Sequence, residues 1–180
     1  MRKLIVSEFL SLDGVMEAPE KWHFPYVNED MMADISEGLF KSDTLLFGRK
    51  TYQEMAAAWP TSTNPLADKF NSITKFVVST TLEEAQWNNT TVIKANIVEE
   101  VIKLKQLPGQ VIMVIGSCDL VDTLMQHDLI DEYWLMIHPL VLGNGKLLFR
   151  EGMATNLKLA ASKTFKTGVV SLTYQSEKKD

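Results

Sequence analysis

The stretch Thr44-Leu-Leu-Phe-Gly-Arg-Lys-Thr-Tyr-Gln-Glu54 constrains the fold most, because its pattern changes at one residue. Before Gly48 the residues are apolar and of strand length; after it they read as a helix with Arg49, Lys50 and Thr51 in its first turn. A strand that passes through glycine into a helix aims unpaired backbone N–H groups and the positive end of a dipole at one spot, which suits an anion. Arg49 adds a rigid fork of donors. The competing reading makes Arg49 and Lys50 ordinary surface charges at a turn. The unit recurs once. Val111-Ile-Met-Val-Ile115 ends in Gly116-Ser117, and Ser117 is placed to cap a helix carrying Leu120, Val121, Leu124 and Met125. Asp119 lies in that helix's first turn and opposes a phosphate, so backbone contacts to a less charged part of a ligand are expected there.

The remaining segments alternate in the same way. Lys3-Leu-Ile-Val-Ser-Glu-Phe-Leu10 reads as a central strand, and further strands are expected at 75–79, 90–94 and 133–137. Asn28 is expected to cap a helix to about Lys41, with Met31, Met32, Ile35 and Leu39 on its apolar face and Asp30, Asp34, Glu37 and Lys41 turned to solvent. Thr51 with Glu54, and Asn96 with Glu99, have capping-box spacing. Gly143 and Gly145 read as a turn, lacking the third glycine and the helix of a dinucleotide fingerprint. Two alternating stretches, 157–165 and 169–174, meet at Lys166-Thr167-Gly168 as a hairpin. The expected architecture is α/β: three layers, a mostly parallel central sheet with helices on both faces, and an antiparallel C-terminal hairpin. The residues at Lys178-Lys179-Asp180 are expected to fray.

At 180 residues, one domain spanning 1–180 is expected. A net charge of −5 argues against an extended nucleic-acid surface. No apolar run is long enough to span a membrane and no leader pattern is seen, so a cytoplasmic protein is expected. Cys118, the only cysteine, excludes an internal disulfide and fits a reducing compartment. His23, His127 and His138 lack metal-ligand spacing, and no metal site is expected. Residues 11–27 form a long loop with Asp13-Gly14, Trp22, His23, Phe24 and Tyr26. Loops of this length are commonly lids or binding loops, although the aromatics can equally pin it to the core. Asp13 reads either as a proton relay or as a turn residue. Cys118 at a helix start reads as a reactive thiol or a small buried hydrophobe, and His138 as a packed edge residue.

Three segments together resemble the dihydrofolate reductase-like superfamily, and within it the reductase (C-terminal) domain of riboflavin biosynthesis. They are Ser11-Leu-Asp-Gly-Val15; Phe47-Gly-Arg-Lys-Thr-Tyr52; and Leu129-Ile-Asp-Glu-Tyr-Trp-Leu-Met-Ile-His-Pro139 leading to Leu142-Gly-Asn-Gly-Lys-Leu-Leu-Phe149. The resemblance covers nearly the whole chain. It implies an NADPH-dependent reductase passing hydride to a pterin-like or ribosylaminopyrimidine-like ring, with 5-amino-6-(5-phosphoribosylamino)uracil among the candidates, and a homodimer. The alternative is a non-catalytic nucleotide-binding module on the same fold.

Carried over position by position, the resemblance puts the 2′-phosphate and adenosine on Gly48, Arg49, Lys50 and Thr51, with Ser79 and Thr80. It puts the pyrophosphate and nicotinamide ribose along Gly116, Ser117, Cys118, Asp119 and Leu120, and the nicotinamide edge against Asp13, Gly14 and Val15. Trp22, Phe24 and Tyr26 would meet the substrate, and Asp13 is the candidate catalytic residue. Three departures stand out. The riboflavin-pathway reductase has a different run where Phe47 to Tyr52 stands, one that helps set its phosphoribosyl substrate. The acid that dihydrofolate reductases carry near the start of the first helix falls on Met32, and their paired glycines become Gly116-Ser117.

Overall fold

The computed structural model describes residues 1–177; the fraying expected at 178–180 lies outside the described residues. Eight strands form one sheet in the order β4-β3-β2-β5-β1-β6-β8-β7. They are β1 (Lys3–Leu10), β2 (Ser42–Gly48), β3 (Thr74–Val78), β4 (Thr90–Ile93), β5 (Val111–Val114), β6 (Glu132–Ile137), β7 (Leu157–Thr164) and β8 (Val170–Ser176). β1 to β6 run parallel, and β8 pairs antiparallel with both β6 and β7. The fold is the expected α/β class.

The central position of β1 explains its composition. It pairs with β5 on one side and β6 on the other, and both of its faces are covered. Leu4, Val6 and Leu10 face one helical layer, α4 (Ile97–Gln106) and α5 (Cys118–Gln126), through Val101, Leu104, Leu120, Val121 and Leu124. The other layer holds α1 (Glu29–Lys41), α2 (Arg49–Ala58) and α3 (Ala67–Ser72), where Leu39, Tyr52 and Phe70 pack on Leu45, Phe47 and Val77. A parallel strand buried on both faces must be apolar almost throughout. Glu8 breaks that rule in β1 and is buried.

The order also locates a crevice. From β2 the chain moves outward to β3 and β4, returns through α4 to insert β5 beside β1, then crosses through α5 to β6. The crossover from β1 to β2 through α1 lies on one face of the sheet and those through α4 and α5 on the other, so the faces change where β5 and β1 are neighbours. Such a point leaves a gap at the carboxyl ends of the strands, where open α/β sheets bind ligands.

Local starts follow the sequence in one case and depart from it in three. Asn28 caps α1, accepting from the Met31 N–H at 2.9 Å. α2, however, starts at Arg49 with Gly48 as its cap, so Thr51 is already inside the helix and forms no capping box with Glu54. Asn96 sits in the left-handed region at φ 53° with no side-chain cap, and Ser117 flanks α5 without capping it through its hydroxyl. At Ser117 the reason is close packing: its side chain fills the space that Gly48 leaves open.

Candidate active site

The two strand–glycine–helix units lie against each other. The Gly48 N–H donates to the Gly116 carbonyl at 2.9 Å, and the Ile115 N–H to Leu46 O at 3.1 Å. A methyl added at Gly48 would overlap the Ser117 hydroxyl and lie 2.9 Å from the Ser117 Cβ and N; one at Gly116 would lie 2.6 Å from Thr51 Oγ1. Gly48 needs no unusual backbone angle, since its φ is −75°, so closeness alone demands glycine there. Gly116 also has φ 57°, and its bond to Ser117 is cis.

Both helix starts open into one cleft of about 1530 Å³. That exceeds a site for one small ligand, roughly 300–1,000 Å³, and fits two ligands end to end. Gly48, Arg49, Lys50, Thr51, Ser79 and Thr80 line it from one side, and Gly116, Ser117, Cys118, Asp119 and Leu120 from another. Arg49 is exposed and has no ion-pair partner among the described residues, while Lys50 lies 3.8 Å from Glu17. Ser79 is buried; its hydroxyl accepts from the Thr81 and Leu82 N–H groups and so shapes the turn that presents Thr80. Asp119 is tied to Arg150 at 2.6 Å, and Arg150 also reaches Asp122 at 3.0 Å. Hydrogen bonding to Arg150 holds the Asp119 carboxyl below its ordinary range. Cys118 is buried among core side chains, the small-hydrophobe alternative of its two readings.

The far half of the cleft is apolar. Phe9, Met32, Ile35, Met113, Trp134 and Met136 line it. Asp34, expected to face solvent, is half-buried and also lines the cleft, with Lys163 on β7 at 2.8 Å from its carboxylate. Met32 stands on the wall as the departure from the dihydrofolate reductase pattern implied.

The loop at 11–27 borders the cleft through residues 16–20, His23, Phe24 and Val27. Of its aromatics, Phe24 is exposed and lines the cleft, whereas Trp22 and Tyr26 are not among the cleft residues. Both pack edge-on to the His138 ring, at 5.1 and 5.6 Å between centroids, and the Trp22 Nε1–H donates to Glu17 O at 3.0 Å. These two belong to the pinning alternative. His138 is fully buried, and its Nδ1 lies 3.0 Å from Met136 O and 3.2 Å from Leu10 O. Burial pushes its pKa down, and that of His23, which stacks on Phe9 at 4.6 Å, down to about 4. The hub is therefore a set of neutral rings.

Asp13 does not reach the cleft and is corrected as the catalytic candidate. Its carboxylate accepts from Ser11 Oγ at 2.6 Å, Gly143 N at 2.8 Å and Leu142 N at 3.1 Å. Those donors, the Ser11 hydroxyl foremost, lower its pKa to about 2, so it has no proton to give near neutrality. It clamps the glycine loop to the first loop instead. Gly14 and Val15 likewise face that loop: the Gly14 carbonyl accepts from the Leu148 N–H, and buried Val15 bridges Leu147.

Sequence reasoning passed over Glu8. It lines the cleft, is buried, and its Oε1 accepts the Gly116 N–H at 2.6 Å. Burial raises its pKa to about 8 despite that hydrogen bond. Its signal was a lone acid inside an otherwise apolar central strand.

The whole layout matches a known family model: residues 2–171 fit the RibD C-terminal domain. The chain belongs to that family. It is 35% identical to the Bacillus subtilis (strain 168) protein YyaP over 179 residues, 96% of this chain and 94% of that one. The fold is shared with a protein assigned to riboflavin biosynthesis in Shewanella sp. PV-4, at TM-score 0.79 and 22% identity over 98% of this chain and 99% of that one. It is also shared with an Enterococcus faecalis dihydrofolate reductase complexed with NADP(H), at TM-score 0.69 and 16% identity over 98% and 97%. Among the described residues, no helix is long and apolar enough to cross a membrane.

Proposed function

We propose that this RibD C-terminal domain protein is an NADPH-dependent reductase acting on a small heteroaromatic ring of the ribosylaminopyrimidine or pterin type. The observation that carries the reading is the meeting of two glycine-opened helix starts across one cleft, with unpaired Arg49 at one of them. Membership of a riboflavin reductase domain family supports the reaction class, and the NADP(H) bound by a protein of the same fold supports the cofactor.

The residues fit that cofactor. Arg49, with the N–H groups opening α2, would hold the 2′-phosphate; Gly116 to Leu120 would follow the pyrophosphate by backbone; Thr80 would flank the adenosine. When bound, a reduced nicotinamide supplies hydride, and the protein's part is to bring the two rings together in a water-poor slot. Phe9, Met113 and Trp134 make such a slot at the apolar end. The same reading takes the protein as a homodimer, as the family resemblance implies.

Titration with NADPH and NADH, following the reduced nicotinamide signal, tests the assignment. NADPH is expected to bind tighter, and Arg49→Ala to weaken it by about 10- to 100-fold, the loss of roughly 1.5–3 kcal/mol from charge-assisted bonds. NADH should hardly change. Equal, weak binding of both cofactors would sink the assignment. NADPH binding without turnover on any dihydropteridine or ribosylaminopyrimidine would favour the non-catalytic module.

A further inference from the structure

We propose that Glu8 is the proton donor of this reduction: its carboxyl, anchored by the Gly116 N–H in the cleft wall, protonates the substrate nitrogen as hydride reaches the adjacent carbon. This rests on the reductase reading above and adds the residue that reading lacks.

Four observations converge on Glu8. It stands near the carboxyl end of the central strand, two residues before Leu10. It lines the cleft on the face of β1 that carries Leu4, Val6 and Leu10, against the Gly116 unit. One oxygen is fixed by the Gly116 N–H at 2.6 Å, which orients the group. And it has no cationic partner among the described residues. Other carboxyls on the cleft are committed or wet: Glu132 pairs with Lys3, Asp34 with Lys163, Glu37 with Lys41, Glu17 with Lys50 and Asp119 with Arg150, while Glu20 and Glu54 are exposed. An acid that stays neutral near pH 7 because it is buried is what a proton donor requires.

The titratable and charged groups on the elements packed against its face are Glu99, Glu100, Lys103 and Lys105 on α4, Cys118, Asp119 and Asp122 on α5, Arg150 bridging the two aspartates, and Glu132, Tyr133 and His138 on or just after β6. Its raised pKa has burial as the cause, opposed only by the Gly116 N–H.

The carbon of a substrate C=N bond gains a hydride, with a reduced nicotinamide as the two-electron donor. The π pair moves to nitrogen, and nitrogen takes the Glu8 proton. A C–H and an N–H bond form, the carboxyl O–H breaks, and the Glu8 carboxylate regains its proton from water.

Wild type, Glu8→Gln and Glu8→Asp are compared, each with NADPH and a panel of 7,8-dihydropteridine and ribosylaminopyrimidine probes. Glu8→Gln should keep NADPH affinity and KM within about twofold while kcat falls about 100-fold, the usual size of a general-acid contribution. Wild-type kcat should fall as pH rises through about 8; the profile of the Gln variant should be flat, and Glu8→Asp should retain a weaker, pH-dependent rate. Without any substrate, infrared spectra of the protein should show a protonated-carboxyl band that titrates near the same pH and is missing from Glu8→Gln. Normal kcat in Glu8→Gln, or a carboxylate already ionised at pH 6, overturns the role of Glu8 and leaves the reductase reading standing. Absent NADPH binding overturns the reductase reading itself, and absent wild-type turnover across the panel counts against the donor role.

Discussion

At the Gly48 unit the first turn of α2 carries Arg49 and Lys50 and no acid, whereas at the Gly116 unit the first turn of α5 carries Asp119, tied to Arg150. The backbone device is the same in both: a strand, a glycine pressed against the other unit, and a helix start facing the cleft. What differs is the charge beside it. A helix dipole alone attracts an anion by about 0.3–1 kcal/mol. Adding an unpaired guanidinium makes one end selective for a dianion, and adding a neutralised carboxylate leaves the other to bind through N–H groups alone. On the proposed cofactor assignment, this contrast lets one repeated fold element serve two parts of a long ligand.

The largest effect is expected where the units touch. Gly48→Ala forces its methyl into the Ser117 side chain and backbone. Neither neighbour can retreat easily, since Ser117 flanks α5 and Gly48 is held by the Gly116 carbonyl. A loss of about 3 kcal/mol in stability, at the upper end for overpacking, should accompany loss of both NADPH and NADH binding. Thermal unfolding and cofactor titration read both. Gly143→Ala is the control for crowding: nothing lies within 4 Å of the added carbon there, although its φ of 76° keeps some strain. A wild-type melting point and affinity for Gly48→Ala would show that the units are not locked together.

A second asymmetry is titratable. The Gly116 N–H is bonded to Glu8, whose carboxyl is raised from an ordinary 4.5 to about 8. Between those values the unfolded chain has released a proton that the folded one keeps. The contribution is complete below pH 4.5 and is lost as pH rises through about 8. Stability should therefore fall over that interval by on the order of 2 kcal/mol, less than the full shift implies because a group on a cleft wall can rehydrate when it ionises. Glu8→Gln should remove this slope, measured by urea unfolding at a series of pH values. An unchanged slope would assign it to other groups.

The fold was legible because the code for it is local. Gly48 and Gly116 each end an apolar run of strand length and begin a helical one, and the alternation of such units leaves little besides a parallel sheet. The residues proposed for the cofactor sit in the glycine turns themselves, which is why the sequence could place them together on one cleft. Asp13 and Trp22 misled because a turn acid and a loop aromatic look alike in sequence whether they face a ligand or hold a loop; only the three donors on Asp13 and the His138 ring beside Trp22 decide it. Capping boxes failed at Thr51 and Asn96 because spacing does not say where a helix begins. Glu8 was hidden because its meaning depends on residues more than a hundred positions away, at Gly116.

The smallest predicted effect bears most directly on the charge contrast. Arg150 neutralises Asp119 and Asp122 at the start of α5, and all three groups lie partly in water. Arg150→Ala should therefore cost little stability, within about 0.5 kcal/mol, as exposed ion pairs do. It leaves two acids beside a helix start that has to receive an anion. NADPH and NADH should both weaken by about three- to fivefold, roughly 0.6–1 kcal/mol, and the loss should shrink as salt screens the acids. Arg49→Ala, by contrast, should act on NADPH alone. If Arg150→Ala instead weakened NADPH and spared NADH, the 2′-phosphate would belong to the Gly116 unit, and the cofactor would have to lie in the cleft the other way round.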